Sequence, residues 1–109
     1  MIVRNYLDSP PTEDAPGVLR RVVIGSDDGA PRFIMRVFHV APGCSTPFHS
    51  HWWEHEVFVL EGDGVVKCGE DERQIEEGMV VFIAPNEDYC FTNTGNEVLR
   101  FICVIPVSE

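Results

Sequence analysis

Three of the chain's four histidines lie within seven residues, in the segment HSHWWEH at positions 49 to 55. His49 and His51 are two residues apart, so in an extended chain both imidazoles point to the same side. His55 follows a short WWE connection, at the start of an apolar run. Imidazole nitrogens favour Zn, Fe, Ni, Co or Cu over Mg or Ca. The spacing therefore predicts a transition-metal site with His49, His51 and His55 as ligands.

Glu56 is the alternative third ligand, since a carboxylate one residue after His55 could reach the same ion. Side-chain alternation along the following strand would normally decide which of the two faces the interior. Here the run VFVL is apolar at every position, so both of its faces could be buried. On alternation alone the choice between His55 and Glu56 stays open.

The rest of the chain consists of short apolar runs separated by turn signals. The runs VLRRVVI, RFIMRVFHV, EVFVL, VVFI and VLRFICVIPV are rich in Val, Ile and Phe, and none shows sustained helical periodicity. Between them lie segments rich in Gly, Pro and acidic residues, such as GSDDGAP, APGCSTP, EGDG and APNED. Runs of this length are typical of strands and short for helices. We expect an all-β sandwich or barrel, built as one domain because 109 residues suffice for one core.

Composition excludes several classes of partner. The chain has 8 basic and 18 acidic residues, a net charge of −10, which disfavours nucleic acid and anionic membrane surfaces. No apolar stretch approaches the ~18 residues needed to span a bilayer, and the start of the chain is unlike a signal peptide, so a cytoplasmic location is expected. The four cysteines lack Cys-x-x-Cys spacing, which favours reduced thiols. The expected partner is a small molecule.

The first 16 residues differ from the rest in having little apolar patterning. We interpret residues 1–16 as an N-terminal arm and residues 17–109 as the barrel domain. Ile2 and Val3 could pair as an edge strand with a second copy, so the arm is a candidate for strand exchange between subunits. A homodimer is the expected assembly.

Two segments resemble the motifs of the cupin family. The first cupin motif has the spacing Gly, five residues, His-x-His, three residues, a ligand, six residues, Gly. In this chain that spacing is matched by Gly43, His49, His51, His55 and Gly62. The usual ligand at the fourth of these positions is Glu, and here His55 replaces it. His55 satisfies both flanking spacings whereas Glu56 does not, so the resemblance favours His55.

The second segment lies between residues 78 and 93. Gly78 and Asn93 keep the spacing of the second cupin motif, while Ala84, Asn86 and Tyr89 replace its Pro, Gly and His. The resemblance implies a jelly-roll barrel, also called a double-stranded β-helix, in which full closure leaves no free strand edge. It also implies one divalent transition metal, whether Fe, Mn, Ni, Zn, Co or Cu.

The segment HSHWWEHEVFVLEG is similar to a class of small cupins with four histidine ligands. In this chain the fourth ligand position is Tyr89, which either binds the ion or packs as a core aromatic beside three histidines and water. In that class a phenylalanine and a cysteine of the last strand line the pocket, which implies the same for Phe101 and Cys103. Arg36 matches a pocket-facing arginine, and an inward guanidinium could bind an anionic substrate, although a surface position is the alternative.

Alternation places Phe91 on the same face as Tyr89. The predicted site thus has Tyr89, Arg36 and Cys103 as candidate catalytic residues, with Phe91 and Phe101 as ligand-contacting residues. Trp52 and Trp53 are interpreted as a hydrophobic rim or a dimer contact, with a lid over the substrate as a further alternative.

Three histidines leave open coordination positions beside an apolar pocket. By analogy, the leading functional hypothesis is a non-haem, metal-dependent dioxygenase acting on a small anionic or enolic substrate. One alternative is a metal-dependent isomerase or decarboxylase in which Tyr89 or Glu56 moves the proton. Another is a module that binds a small molecule or metal without turnover.

Overall fold

The computed structural model describes residues 1–107, and nearly all of their regular secondary structure is β-strand. Two single-turn 3₁₀ helices, Tyr6–Asp8 and Ser26–Asp28, interrupt the strands. The strands are β1 (Thr12–Ala15), β2 (Val18–Ile24), β3 (Phe33–Val40), β4 (His55–Glu61), β5 (Asp63–Cys68), β6 (Asp71–Glu76), β7 (Val80–Ile83), β8 (Tyr89–Asn93) and β9 (Leu99–Pro106). The all-β prediction is confirmed.

The strands form two antiparallel sheets that face each other. The larger sheet has the order β1-β2-β3-β9-β4-β7, and the smaller has the order β6-β5-β8. In the larger sheet β9 lies between β3 and β4, although it comes last in the chain. This crossover is that of the expected jelly roll, and the core lies between the two sheets.

Strict alternation along the strands builds the core. In β9 the buried positions are Leu99, Phe101, Cys103 and Ile105, and the intervening residues are only partly buried. Phe101 is paired with Phe38 on one side and with Val59 on the other, so one inward row crosses three strands. Such rows are what the period-two pattern of these segments predicts.

The turn between β4 and β5, where the chain passes from the large sheet to the small one, depends on Gly62. Its φ is +91°, in the left-handed region that favours glycine. A Cβ on this residue would also be placed against the carbonyl oxygen of Val98, and 2.8 Å from the Cα of Leu99. The chain can therefore pass this close to the start of β9 only if the residue has no side chain.

The N-terminal arm is shorter than the sequence suggested. Residues 12–15 form β1, which pairs with β2 of the same chain, so the segment outside the sheets ends near residue 11. That segment crosses the outer face of the large sheet. Arg4 donates to the carbonyl oxygen of Val23 at 2.6 Å and pairs with Asp28 at 2.7 Å. Strand exchange between subunits stays a prediction.

The outer face of the large sheet is apolar beyond the arm. Phe58, Val80 and Phe82 on β4 and β7 are largely exposed, although the outer face of a sheet is normally polar. Because this face includes the edge strand β7, it is the surface on which the predicted homodimer could form.

Two further findings concern covalent links and membranes. All four cysteines are free thiols, in agreement with the reduced state predicted from their spacing. Among residues 1–107 there is no helix with the length and apolar character that crossing a bilayer requires.

Replacing Gly62 with alanine should destabilise the fold more than the same change at Gly29. Both residues have a positive φ, near +90°, but a Cβ at Gly29 meets nothing within 4 Å. G29A should therefore cost about 1 kcal/mol of backbone strain, and G62A about 1–3 kcal/mol more for the steric overlap. Urea denaturation of both variants measures the difference, and equal losses would contradict the close approach at this corner.

Candidate functional site

The histidine-bearing connection between β3 and β4 is held against β8. Its backbone makes isolated bridges from Ser45 to Thr92 and from His49 to Tyr89, with reciprocal His49–Tyr89 hydrogen bonds of 3.3 and 3.1 Å. His51 lies outside any strand, so the extended pair predicted from the His-x-His spacing is a loop anchored at His49 rather than a strand. The connection nevertheless delivers both rings to the edge of β8.

The three imidazole rings of the cluster lie close together. The ring centres of His49 and His51 are 4.6 Å apart, and those of His51 and His55 are 5.4 Å apart. A metal bound to an imidazole nitrogen at about 2.0–2.1 Å lies about 3.2 Å from the ring centre, so two rings on one ion are about 4.5–5.2 Å apart. The observed spacings are close to those of rings that share an ion.

His55 and Glu56 face opposite sides of β4. His55 is 1% exposed and lies inside the barrel, whereas Glu56 is exposed and paired with Phe82 and Val104 on the outer face. The Nδ1 atom of His55 is buried and has no hydrogen-bond partner among residues 1–107. His55 is therefore in a position to bind an ion beside His51, and Glu56 is not. The alternation of the VFVL run could not decide between them.

Tyr89 completes the cluster from β8. It is 8% exposed, and its hydroxyl lies 3.0 Å from Nε2 of His55. This distance suits a hydrogen bond, and it also falls in the range of about 2.8–3.4 Å that separates two neighbouring ligand atoms on one ion. Tyr89 therefore occupies a position from which it could either bind an ion or hydrogen-bond a ligand of that ion.

The enclosed position of these groups keeps them uncharged. Burial, and to a smaller extent the positive charge of Arg36, lower the pKa of His55 to about 4. Burial likewise lowers the pKa of His51 and raises the pKa of Tyr89 to about 12. At neutral pH these residues are thus two imidazoles with a free lone pair and a phenol that keeps its proton.

The histidine cluster meets some of the requirements of a metal site. Neutral imidazoles are suitable donors, the ring spacing suits ligation, and the buried Nδ1 of His55 lacks a partner. Within residues 1–107, however, no group of three or more His, Cys, Asp or Glu side chains is arranged as a finished ligand cluster. Donor type and ring spacing therefore fit, although the side chains are not arranged as a closed ligand set.

A cavity of about 360 Å³ opens beside the histidines. Three phenylalanine rings line it as a continuous stack: Phe101 lies 5.0 Å from Phe38 and 4.6 Å from Phe91, centre to centre. Phe91 and Phe101 thus lie where the sequence predicted. The volume is in the range of small-molecule sites, and an aromatic lining with few polar groups is typical of them.

Arg36 and Cys103 face each other in the wall of this cavity. They are paired across β3 and β9, and the Arg36 Nη2 atom lies 3.1 Å from the Cys103 sulfur. Of the two positions considered for Arg36, the structure has the inward one. Burial raises the pKa of the Cys103 thiol above its ordinary value, so the sulfur is neutral.

Some of the lining residues were missed by sequence reasoning. Trp53 is stacked on His51, with ring centres 4.4 Å apart and planes 8° apart, so it belongs to the cavity rather than to an outer rim. Its position in a loop gave no alternation from which to infer this. Phe38 and Arg20 could have been found, because Phe38 shares the face of Arg36 and Arg20 that of the buried Val18.

Comparisons with known proteins agree with this geometry. The family described as "Cupin domain" matches residues 36–105. The crystal structure of the polyketide cyclase RemF from Streptomyces resistomycificus superposes with a TM-score of 0.90 and 31% identity, over 99% of this chain and 80% of that one. A predicted oxalate decarboxylase from Thermotoga maritima gives a TM-score of 0.82 and 26% identity, over 99% of this chain and 100% of that one.

Curated sequences also match. The oxalate-binding protein of Thermotoga maritima is 37% identical over 65 residues, which is 59% of this chain and 54% of that protein. The chain thus spans about half the length of the curated relatives that it matches. Because the family match extends over more than half of the chain and coincides with the jelly roll and its histidine cluster, the chain belongs to the cupin family.

Proposed function

We propose that this cupin is a metal-dependent enzyme that acts on a small enolisable carbonyl compound and promotes its cyclisation or isomerisation. The observation that carries the proposal is the 3.0 Å contact between the Tyr89 hydroxyl and His55 Nε2, beside His51 in the wall of an aromatic cavity. This arrangement combines donors suited to a Lewis-acidic metal with a group that can supply a proton.

His49, His51 and His55 would hold the metal, and Tyr89 would lie beside them as a protonated phenol. A divalent transition metal bound there would polarise the carbonyl group of a substrate. This would lower the pKa of the C–H group next to that carbonyl. The low pKa of His55 supports this assignment, because an imidazole that stays neutral at physiological pH has its lone pair available.

Tyr89 is the candidate proton donor. Its raised pKa, about 12, means that the phenol keeps its proton at neutral pH. It can therefore donate a hydrogen bond to a substrate oxygen that gains negative charge on enolisation, while the proton that leaves the neighbouring carbon passes to solvent. Its contact with His55 and its burial fix the direction of the hydroxyl, which reduces the cost of orienting it.

The phenylalanine stack would hold the carbon skeleton and exclude water. Phe38, Phe91 and Phe101 are at least nine-tenths buried, and their stacked faces form one apolar wall. Such a wall would hold the skeleton of an enolate in one orientation. Cyclisation in particular benefits, because folding a flexible chain against a rigid surface brings its reacting carbons together.

The comparisons favour chemistry at a carbonyl or carboxylate. RemF, a polyketide cyclase, is similar over nearly the whole chain, and the relatives from Thermotoga maritima are named for oxalate. Closing a polyketide ring joins an enolate carbon to a carbonyl carbon. This is the reaction class for which a polarising metal and a phenol donor are suited.

Oxidative cleavage by a non-haem dioxygenase is the second candidate. It is favoured by the donor set, because three neutral imidazoles leave coordination positions for both substrate and dioxygen. The two candidates differ in their need for oxygen. Dioxygen uptake measured with an electrode, for protein loaded in turn with Fe, Mn, Ni, Zn, Co and Cu, separates them, since the cyclase or isomerase reaction proceeds equally in anaerobic buffer.

The metal assignment predicts a difference between histidines. Protein purified without a nickel column should contain close to one equivalent of a transition metal, and H51A should lose most of it. H39A is the matched control, because His39 lies on the outer face beneath Tyr6, away from the cavity. Mass spectrometry of the metals measures both. A wild-type content below about a tenth of an equivalent, or equal loss in H39A, would contradict the site.

The proton-donor assignment predicts that Y89F loses turnover while keeping its fold. The phenyl ring preserves the packing against Phe91, and only the hydroxyl is removed. Deuterium exchange at the carbon next to the carbonyl, followed by NMR in D₂O with a panel of 2-oxo and 3-oxo acids, reports enolisation directly. We expect a decrease of about 10²-fold or more relative to wild type.

The control for Y89F is Y6F, which removes the phenol hydroxyl of the N-terminal arm. The Y6F variant should catalyse deuterium exchange at the wild-type rate. Wild-type exchange in Y89F would show that the hydroxyl has no part in the reaction. Binding of the acids with no exchange in any protein would identify the chain as a binding module instead.

A further inference from the structure

Arg36 is a cation in the cavity wall without a carboxylate partner. Four ion pairs are recorded among residues 1–107, and none includes Arg36. This is notable in a chain with 18 acidic and 8 basic residues, where carboxylates are plentiful. A guanidinium that is partly withdrawn from water normally has an anion beside it, because desolvation of an unpaired charge is costly.

None of the partners that Arg36 does have is an anion, and they include the hydroxyl of Tyr89. Its Nη2 atom contacts the sulfur of Cys103, a neutral thiol and a poor acceptor. Its Nε atom is buried and has no hydrogen-bond partner among the residues described. The guanidinium also lies 5.0 Å from the ring centre of Phe38, a cation–π contact that does not neutralise the charge.

The other charges of the cavity wall cancel each other. Asp14 and Arg20 both line the cavity, and they form a salt bridge of 2.9 Å. The remaining charge of the lining is then that of Arg36, so the cavity is locally positive in a protein whose net charge is −10. Such a site selects anions that the rest of the surface repels.

The apolar part of the wall constrains the rest of the ligand. The rings of Phe38 and Phe101 are within 15° of parallel, and those of Phe91 and Phe101 within 30°. Because these rings are stacked on one another, the wall that they form is apolar and suits a hydrocarbon skeleton more than a highly hydroxylated one.

We propose that the ligand of this cavity is a monocarboxylate on an apolar body, with the carboxylate bound by Arg36 and the body against the phenylalanine stack. The inference rests on the proposed function for the presence of a substrate at this site, and it adds the substrate's chemical class. A carboxylate matches one guanidinium in charge and in its planar, two-pronged shape. A phosphate dianion would need a second unpaired cation, whereas the other arginine of the lining, Arg20, is already paired with Asp14.

The experiment compares a carboxylate with its uncharged isostere. Protein treated with a chelator is titrated by calorimetry with 2-naphthoate and with 2-naphthamide, which share a ring system and differ in charge. Wild type should bind the carboxylate at least about tenfold more tightly than the amide, as expected for a charge-assisted hydrogen bond. R36Q should abolish that preference while retaining amide binding, and R36K should keep part of it.

R73Q is the matched control, because it removes the same charge from an exposed arginine outside the cavity. It should leave the preference unchanged. If the amide binds as tightly as the carboxylate in wild type, or if neither binds, the assignment of the substrate class is overturned. The wild-type comparison does not depend on R36Q folding correctly.

Using metal-free protein separates this inference from the proposed function. A carboxylate preference without any deuterium exchange in the metal-loaded protein would support Arg36 and reject the enzyme. Exchange in the metal-loaded protein with uncharged ketones as readily as with their carboxylate analogues would support the enzyme and reject the role of Arg36.

Discussion

The pairing of the β3–β4 connection with β8 is the interaction on which the candidate site depends. Cys44 and Asn93, Thr46 and Phe91, and His49 and Tyr89 are joined by backbone hydrogen bonds of 2.9 to 3.3 Å. These bonds attach a segment without regular strand structure to the smaller sheet, opposite the strand that carries His55. Without them His49 and His51 would belong to a mobile loop, and the cavity would have one wall fewer.

Asn93 reinforces this attachment from the interior. Its side chain donates to the carbonyl oxygens of Val40 and Glu97 at 2.8 and 2.7 Å and accepts from the amide of Gly95 at 2.9 Å. It is 1% exposed, so these bonds are made without competition from water. One polar side chain thus joins the end of β3, the end of β8 and the turn before β9. The Asn at the end of the second cupin motif therefore supports the site by holding these three segments together, although its side chain does not line the cavity.

Much of the fold could be predicted from the sequence because alternation and turn signals agree along most of the chain. The exceptions have physical causes. The VFVL run could not distinguish His55 from Glu56, because Phe58 is an apolar residue on the outer face, where alternation predicts a polar one. TEDA has no strand pattern, and its assignment as β1 depends on pairing with β2. Trp53 lies in a loop, so its stacking on His51 follows only from the tertiary structure.

The phenylalanine stack also constrains how the cavity can change. Phe38 and Phe101 belong to the large sheet and Phe91 to the small one, so the stack that forms the cavity wall also joins the two sheets. Enlarging the cavity at these positions would remove packing between the sheets and lower the stability of the barrel. Pro47, an exposed residue of the β3–β4 connection that lines the cavity, has no such second role. Divergence toward bulkier substrates should therefore proceed through changes in the β3–β4 connection, while the phenylalanine stack remains the same.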